Sequence, residues 1–346
     1  MEGNLIFLGS GSSVPFGLPT MRDLVNSFEK ELSTTTKSAT GKRIREMLKL
    51  YRDIKENLRR VYQYVDMESV FSVVDMISKD TSYSQLDFGS TYILSIKGNT
   101  PKREKIFTQL QRDHALELLT MYREHVRKEC TLKHDYDDDI NRIYKEFFGK
   151  IRDESKEDRL YIYTTNYDRV FETYWEDKEI NDLFASRGGL QLLDLNKLID
   201  GIYIKLVKLH GSIDWFKQDD GRIVRSHDKR MKIAGRVVEG EIMLYPIQQK
   251  DLYAYPWLDI FRQFKEDLKR AKNWIVLGYS FNDEYVKAMF LEVLKDPNLK
   301  HKLIIVHPHV DEIVTKFDGK QDNIIYIKAK LGASETVPEI LKAISG

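Results

Sequence analysis

Four short stretches hold the side chains that could do chemistry. The first, "GSGSSVPFGLP" at Gly9–Pro19, follows the apolar run Leu5–Leu8 and packs three glycines, three serines and two prolines into eleven residues. Glycine lets backbone N–H groups approach a phosphate or ribose because no Cβ stands in the way, so Gly9, Ser10, Gly11 and Ser12 are candidate nucleotide contacts. A tight loop with no ligand is the other reading, and the dinucleotide fingerprint is incomplete, with Val14 where a third glycine should stand. The second stretch, "YIYTTNYD" at Tyr161–Asp168, ends a strand in Thr164, Thr165, Asn166 and Asp168. The third, "KLHGSIDW" at Lys208–Trp215, puts His210 and Gly211 at another strand end. A histidine with a reference pKa of about 6.5 is mostly neutral near pH 7 and can take up a proton. The fourth, "WIVLGYSFNDE" at Trp274–Glu284, places Gly278 and Ser280 at a strand-to-helix turn able to hold a second phosphate or ribose. Each has a structural alternative: Asn166 capping a helix that begins near Asp168, His210 hydrogen-bonded within the fold, Trp215 packed in a core.

The elements that must position these residues are legible from periodicity. Leu5–Leu8, Leu160–Tyr163, Tyr203–Leu209, Trp274–Leu277, Leu303–Val306 and Ile324–Ile327 are short, apolar and rich in β-branched and aromatic residues, which predicts buried strands. Helical patterns over Pro256–Lys272 and Asp283–Leu294 alternate with them, and this predicts an α/β fold with a doubly wound, Rossmann-like parallel sheet. The carboxyl ends of parallel strands face the ligand crevice, which would gather the four stretches. Between the first two strands lies a block with a different rhythm. Gly41–Val65 carries Ile44, Met47, Leu48, Tyr51, Ile54 and Leu58 at three-four spacing, and Phe107, Leu110, Leu116, Leu119, Tyr122 and Val126 do likewise after Thr100-Pro101. A third helix is expected over Ile140–Ile151. The sequence therefore predicts a core of residues 1–20 and 159–346, with residues 21–158 as an inserted helical subdomain.

Composition narrows the function classes. Hydrophobic residues at 42% and charged residues at 32% describe a globular chain. Fifty-five Lys and Arg against 54 Asp and Glu give a net charge of +1 and no global field toward nucleic acid or an acidic membrane. A single cysteine, Cys130, allows neither an internal disulfide nor a four-cysteine zinc module, which suits a reducing cytoplasm. No apolar run is long enough to span a membrane. His307 and His309 lack the company of a metal site, so no metal is expected; His114, His125, His134 and His301 read as surface residues.

Taken together, the four stretches resemble the sirtuin fold, and more closely its bacterial sirtuin-like branch found in anti-phage defence. Gly9-Ser-Gly11 followed by Gly17-Leu18-Pro19-Thr20-Met21-Arg22 is similar in spacing to the sirtuin first loop, with Arg22 in the place of its arginine. Thr164-Thr165-Asn166-Tyr167-Asp168 resembles the asparagine/aspartate motif, His210-Gly211 the catalytic pair, and Gly278-Tyr279-Ser280 the late glycine–serine turn. The resemblance implies NAD as substrate and cleavage of the nicotinamide–ribose bond. Asp168 would meet the nicotinamide carboxamide, Asn166 would position a ribose hydroxyl or the attacking water, and His210 would take up a proton. Gly9, Ser10, Gly11, Ser12, Gly17, Pro19, Arg22, Thr165, Gly211, Gly278, Ser280 and His307 would line the cofactor.

The departures from the family bear on the outcome. One cysteine cannot replace the sirtuin zinc ribbon, and Met21 stands where those enzymes carry an aromatic residue, which favours water as acceptor. His307 replaces an asparagine that meets the adenine-side ribose. The expected function is an NAD hydrolase releasing nicotinamide and ADP-ribose as the effector of a defence system. The alternatives are a non-catalytic NAD or ADP-ribose sensor and, further off, a protein deacylase. Such an enzyme needs restraint. The last strand is followed by only a short helix, Glu335–Ile344, so control is expected from homo-oligomerisation or a separate subunit such as a HerA-like ATPase, with the apolar stripes of residues 21–158 as the contact surface.

Overall fold

The computed structural model describes residues 3–35, 41–61, 67–79, 109–133, 136–155, 160–174, 180–187, 190–198, 204–218, 220–226, 238–243, 255–296, 298–317 and 322–345. The chain divides into two compact units, one α/β and one helical.

The α/β unit carries β1 (Asn4–Leu8), β2 (Leu160–Thr164), β3 (Ile180–Asn181), β4 (Phe184–Arg187), β5 (Leu190–Leu193), β6 (Ile204–Lys208), β7 (Gly211–Gln218), β8 (Ile223–Arg225), β9 (Val238–Met243), β10 (Asn273–Leu277), β11 (Lys302–Val306) and β12 (Ile324–Ile327). The helices of the two units, numbered together along the chain, are α1 (Met21–Thr35), α2 (Gly41–Val61), α3 (Met67–Lys79), α4 (Gln109–Glu129), α5 (Asp137–Ser155), α6 (Val170–Tyr174), α7 (Trp257–Arg270), α8 (Glu284–Leu294), α9 (Val310–Val314) and α10 (Thr336–Ser345).

Seven strands form a parallel sheet in the order β12-β11-β10-β1-β2-β6-β3. All six strands read from the sequence are in it. β1 lies at the switch point, with β2 on one side and β10 on the other. The register aligns the carboxyl ends: Leu8 pairs with Thr164 and Leu277, Thr164 with Lys208, Leu277 with Val306, and Val306 with Ile327. Every loop that leaves these strands therefore starts at one level, along the edge where open α/β sheets bind ligands.

Strand residues alternate between two buried faces. Ile6, Leu8, Ile162, Leu206, Ile275 and Ile304 point into one core with Tyr144, Phe147 and Phe148 of α5 and with Val337 and Ile340 of α10. On the other face Phe7 meets Phe264 of α7 and Phe290 of α8, with ring centroids 5.6 and 5.4 Å away. A fully buried side chain of this size contributes about 1.5–3 kcal/mol. Burial on both faces explains the apolar runs in sequence, which only β6 interrupts, with its buried Lys205 and Lys208.

The helical unit holds the described residues of Met21–Glu129. The boundary expected at Asp158 thus moves to Glu129–Cys130, because α5 spends its apolar stripe on the sheet and belongs to the α/β core. Within the helical unit Phe28, Tyr51, Ile54, Leu58, Phe71, Leu119 and Tyr122 are buried, and Phe71 stacks on Tyr122 at 4.1 Å. The stripes expected to meet a partner are largely consumed inside the unit. Leu110 and Leu116, expected on the buried face of α4, are instead exposed. His114 and His125 are buried, as is His301 in the α/β unit, against the surface positions read from sequence. His134, Thr100, Pro101 and Phe107 lie outside the described residues.

A second, antiparallel sheet, β4-β5-β8-β7-β9, completes the α/β unit and was not legible beforehand. Trp215 of β7 is buried in it, as a core residue.

Candidate functional site

The first loop folds as two short 3-10 turns, Ser10–Ser12 and Val14–Phe16. Its glycines serve close backbone packing. Gly9 N–H donates to Leu277 O and Gly11 N–H to Gly278 O, both at 2.9 Å. A Cβ on Gly9 would stand 2.6 Å from Gly278 O, and one on Gly278 would stand 2.5 Å from the Gly11 carbonyl carbon; the φ of Gly278 is +60°. The loop after β1 and the turn after β10 are thus pressed together backbone to backbone, which only glycine permits at both positions. The N–H groups of Ser12 and Ser13 turn inward to Gly9 O and Ser10 O. The expected row of glycine-loop amides facing a phosphate is therefore largely spent inside the protein, and ligand contact falls to side chains. Gly17, with φ +74° and no room for a Cβ beside Tyr136, ends the second turn, and Pro19 follows half-buried.

Against this loop sits the end of β2. Thr164 Oγ1 donates to Leu8 O at 2.9 Å and accepts from Asn166 N–H at 2.9 Å, while Thr165 N–H reaches Leu8 O. The Asn166 amide then donates to Gly9 O at 3.0 Å and approaches Ser13 Oγ at 3.1 Å. Ser13 Oγ in turn donates to Asp168 Oδ2 at 2.8 Å. Asp168 Oδ1 accepts from Val170 N–H at 3.1 Å, so the helix cap expected of Asn166 is supplied by Asp168, and the Asn166 side chain is left to the crevice loop. Burial pushes the Asp168 carboxyl above its ordinary range, despite Lys208, the Val170 N–H and the Ser13 hydroxyl pulling it down.

β6 delivers the histidine. Leu209 N–H donates to Thr164 O at 2.8 Å and Ile213 N–H to Tyr167 O at 3.1 Å, which locks the His210 turn onto the Asn166 loop. Gly211 holds φ +79°. His210 is buried, its Nε2 3.0 Å from Asp283 Oδ2. Asp283 is the N-cap of α8, and its Oδ1 accepts from Tyr285 N–H at 3.0 Å and Val286 N–H at 3.3 Å. It thereby takes up the Tyr285 and Val286 N–H groups of the helix N-terminus, which leaves those two to neither the phosphate nor the ribose expected at the Gly278–Ser280 turn. Ser280 O accepts from Lys316 Nζ at 2.7 Å, and Phe281 follows in the left-handed region at φ +53°, fully buried.

Two expected contacts have other settings. His307 is half-buried at the end of β11, its Nδ1 accepting from His309 N–H at 3.1 Å, and burial pushes its pKa down. Arg22 lies exposed in the first turn of α1, within the helical unit. Among the described residues no group of three or more His, Cys, Asp and Glu side chains gathers as a metal site.

Sequence reading missed the charged bed beneath this edge. Lys208 Nζ contacts Asp168 O, Ser212 Oγ at 2.9 Å and Glu172 Oε1 at 2.9 Å, all buried. Asp214 takes Arg169 Nε at 3.0 Å and Arg225 Nε at 3.5 Å. Burial pushes the Asp214 carboxyl up, but Lys208, Arg225 and Arg169 outweigh it and hold it below the ordinary carboxylate range. Asp283 was missed too: in sequence it signals only a helix cap, and its reach to His210 exists only once β6 and β10 are folded.

Residues 160–327 match the family model described as a SIR2-like domain. The matched segment runs from the first residue of β2 to the last of β12, taking in Asn166, Asp168, His210, Gly278, Ser280 and His307 and leaving β1 and its loop outside. Solved structures similar to the whole chain include a Sir2 homologue in complex with NAD, at 13% identity over 99% of this chain and 89% of that one with a TM-score of 0.45. Another, from a structural account of the mechanism and regulation of Sir2 enzymes, has 14% identity over 99% and 92% with a TM-score of 0.43. Among curated proteins none matches the sequence.

Proposed function

We propose that the chain binds NAD at the carboxyl ends of β1, β2, β6 and β10 and hydrolyses its nicotinamide–ribose bond. The observation that carries this reading is the convergence on one sheet edge of Asn166, Asp168 and His210, from adjacent strand ends inside a SIR2-like segment. The donor set fits the substrate: an amide, two serine hydroxyls, a carboxyl and an imidazole suit ribose hydroxyls and a carboxamide.

The roles follow from the residues. Asn166 is held by the first loop and orients water or a ribose hydroxyl. Asp168, anchored by Ser13 and Val170, hydrogen-bonds the carboxamide. As the C–N bond breaks, its electron pair leaves with nicotinamide and positive charge spreads over ribose C1′ and the ring oxygen; water attacks C1′ and its proton passes to His210. The products are nicotinamide, ADP-ribose and one proton. In a cell such an activity drains NAD, which fits an effector of anti-phage defence held in check by self-assembly or by a separate subunit of the HerA-like ATPase type.

Incubating the full chain with NAD and quantifying both products tests the reading. Equal amounts of nicotinamide and ADP-ribose are expected. Saturable NAD binding with no release would replace it with the sensor reading.

A further inference from the structure

We infer that Asp283 is a positioning residue that fixes the tautomer of His210, holding the hydrogen on Nε2 and making Nδ1 the nitrogen that accepts the proton. The inference rests on the reading of His210 as proton acceptor, and nothing in the sequence pattern of the site includes Asp283.

Asp283 has two tasks, one for each oxygen. Oδ1 accepts from the N–H groups of Tyr285 and Val286 at the start of α8, and Oδ2 faces His210 Nε2 at 3.0 Å. An acidic side chain that accepts backbone N–H groups at a helix N-terminus is a carboxylate near neutral pH, and a carboxylate has no hydrogen to give. Nε2 must therefore carry the hydrogen, and in the neutral ring the lone pair falls on Nδ1. The cap itself is built on an eleven-residue helix whose Val286 and Phe290 are buried in the unit, so Oδ2 is aimed by a rigid element.

Asp283→Asn separates the two tasks. Asn caps helices as well as Asp does, and capping demands its oxygen, which leaves the NH2 group toward His210. That group can only donate, so Nε2 becomes the acceptor and the hydrogen moves to Nδ1. The variant should keep its melting temperature and far-ultraviolet circular dichroism, yet carry the wrong tautomer. A carboxylate-to-amide change behind a catalytic histidine has cost about 10⁴-fold in kcat through this effect in a serine protease.

The test is ¹⁵N NMR of histidine-labelled full chain, with the His210 signals assigned by their loss in His210→Gln, beside NAD turnover of the same samples. Nε2–H in the wild type, Nδ1–H in Asp283→Asn and a kcat loss of roughly 10²–10⁴-fold support the inference. The same tautomer in both proteins overturns it, as does unchanged turnover in an Asp283→Asn protein that has switched tautomer. If the wild type releases no nicotinamide but the tautomer still switches, the positioning role stands and the hydrolase reading falls.

Discussion

Two histidine–carboxylate pairs, one from each unit, differ in what surrounds them; a third, His114 with Glu46 at 3.4 Å, lies in the helical unit. In the helical unit His125 Nδ1 lies 2.7 Å from Glu31 Oε2 and its Nε2 lies 2.8 Å from Ser27 Oγ. On paper this is a serine–histidine–glutamate chain. Ser27, however, sits inside α1, where neighbouring N–H groups belong to the helix ladder and cannot form an oxyanion hole, and its hydroxyl also leans 3.1 Å from Leu24 O. The His125 ring is buried beside Phe28 at 5.4 Å, with both nitrogens committed to α1 of its own unit. His210 instead follows the end of β6 and Asp283 caps α8 in the connection after β10, at the sheet edge where Asn166 and Asp168 also converge. Under the proposed function a histidine–carboxylate pair is a packing device in one place and a chemical device in the other, and the strand-end setting makes the difference.

The largest expected effect breaks this contrast directly. His210→Ala and Asn166→Ala each lower NAD turnover by roughly 10²–10⁴-fold with circular dichroism unchanged. His125→Ala lowers the melting temperature and leaves turnover per folded molecule where it was. A His125 variant that loses turnover at full folding would erase the distinction.

Next comes the charged bed. Lys208→Met strips the cation from Glu172 and from the Asp168 carbonyl, leaving buried acceptors without it, and should cost about 3–5 kcal/mol in denaturant unfolding. Lys208→Arg keeps the charge and should lose less. Equal, small losses in both would show that the Lys208 charge is not what holds the loops.

The smallest effect concerns a histidine outside both pairs. Burial pushes the His301 pKa below its usual value, while its Nδ1–H donates to Ala271 O at 2.8 Å. The folded state therefore prefers the neutral ring, so stability is full above the unfolded pKa of about 6.5 and falls as pH drops through it. His301→Gln should flatten that acid slope below about pH 6.5, read as melting temperature against pH. A slope that survives the substitution assigns it to other groups.

Much of this was written in local sequence. Five of the six core strands read as unbroken apolar runs because both faces of a parallel sheet are covered, β6 carrying Lys205 and Lys208, and glycine, asparagine and histidine at their ends marked the crevice. The second sheet escaped because β4, β5 and β8 are three to four residues long, too short for an alternating pattern to register. α5 showed its amphipathic stripe but not its destination, since periodicity tells that a face is buried and not against what. The first loop revealed its glycines but not their use: close packing of Gly9 and Gly11 on Gly278 joins residues more than 260 positions apart. Ser13, Lys208 and Asp283 were hidden for the same reason, each acting on a partner that only the folded sheet brings near.

In the proposed hydrolase His210, at the sheet edge, serves NAD turnover and His125 does not. Single-turnover release of nicotinamide from NAD by the wild type, His210→Ala and His125→Ala at matched folded concentration tests it most directly. Equal release by the wild type and His125→Ala is expected, with a rate lower by at least about 10²-fold in His210→Ala. Release by His210→Ala at the wild-type rate would contradict it.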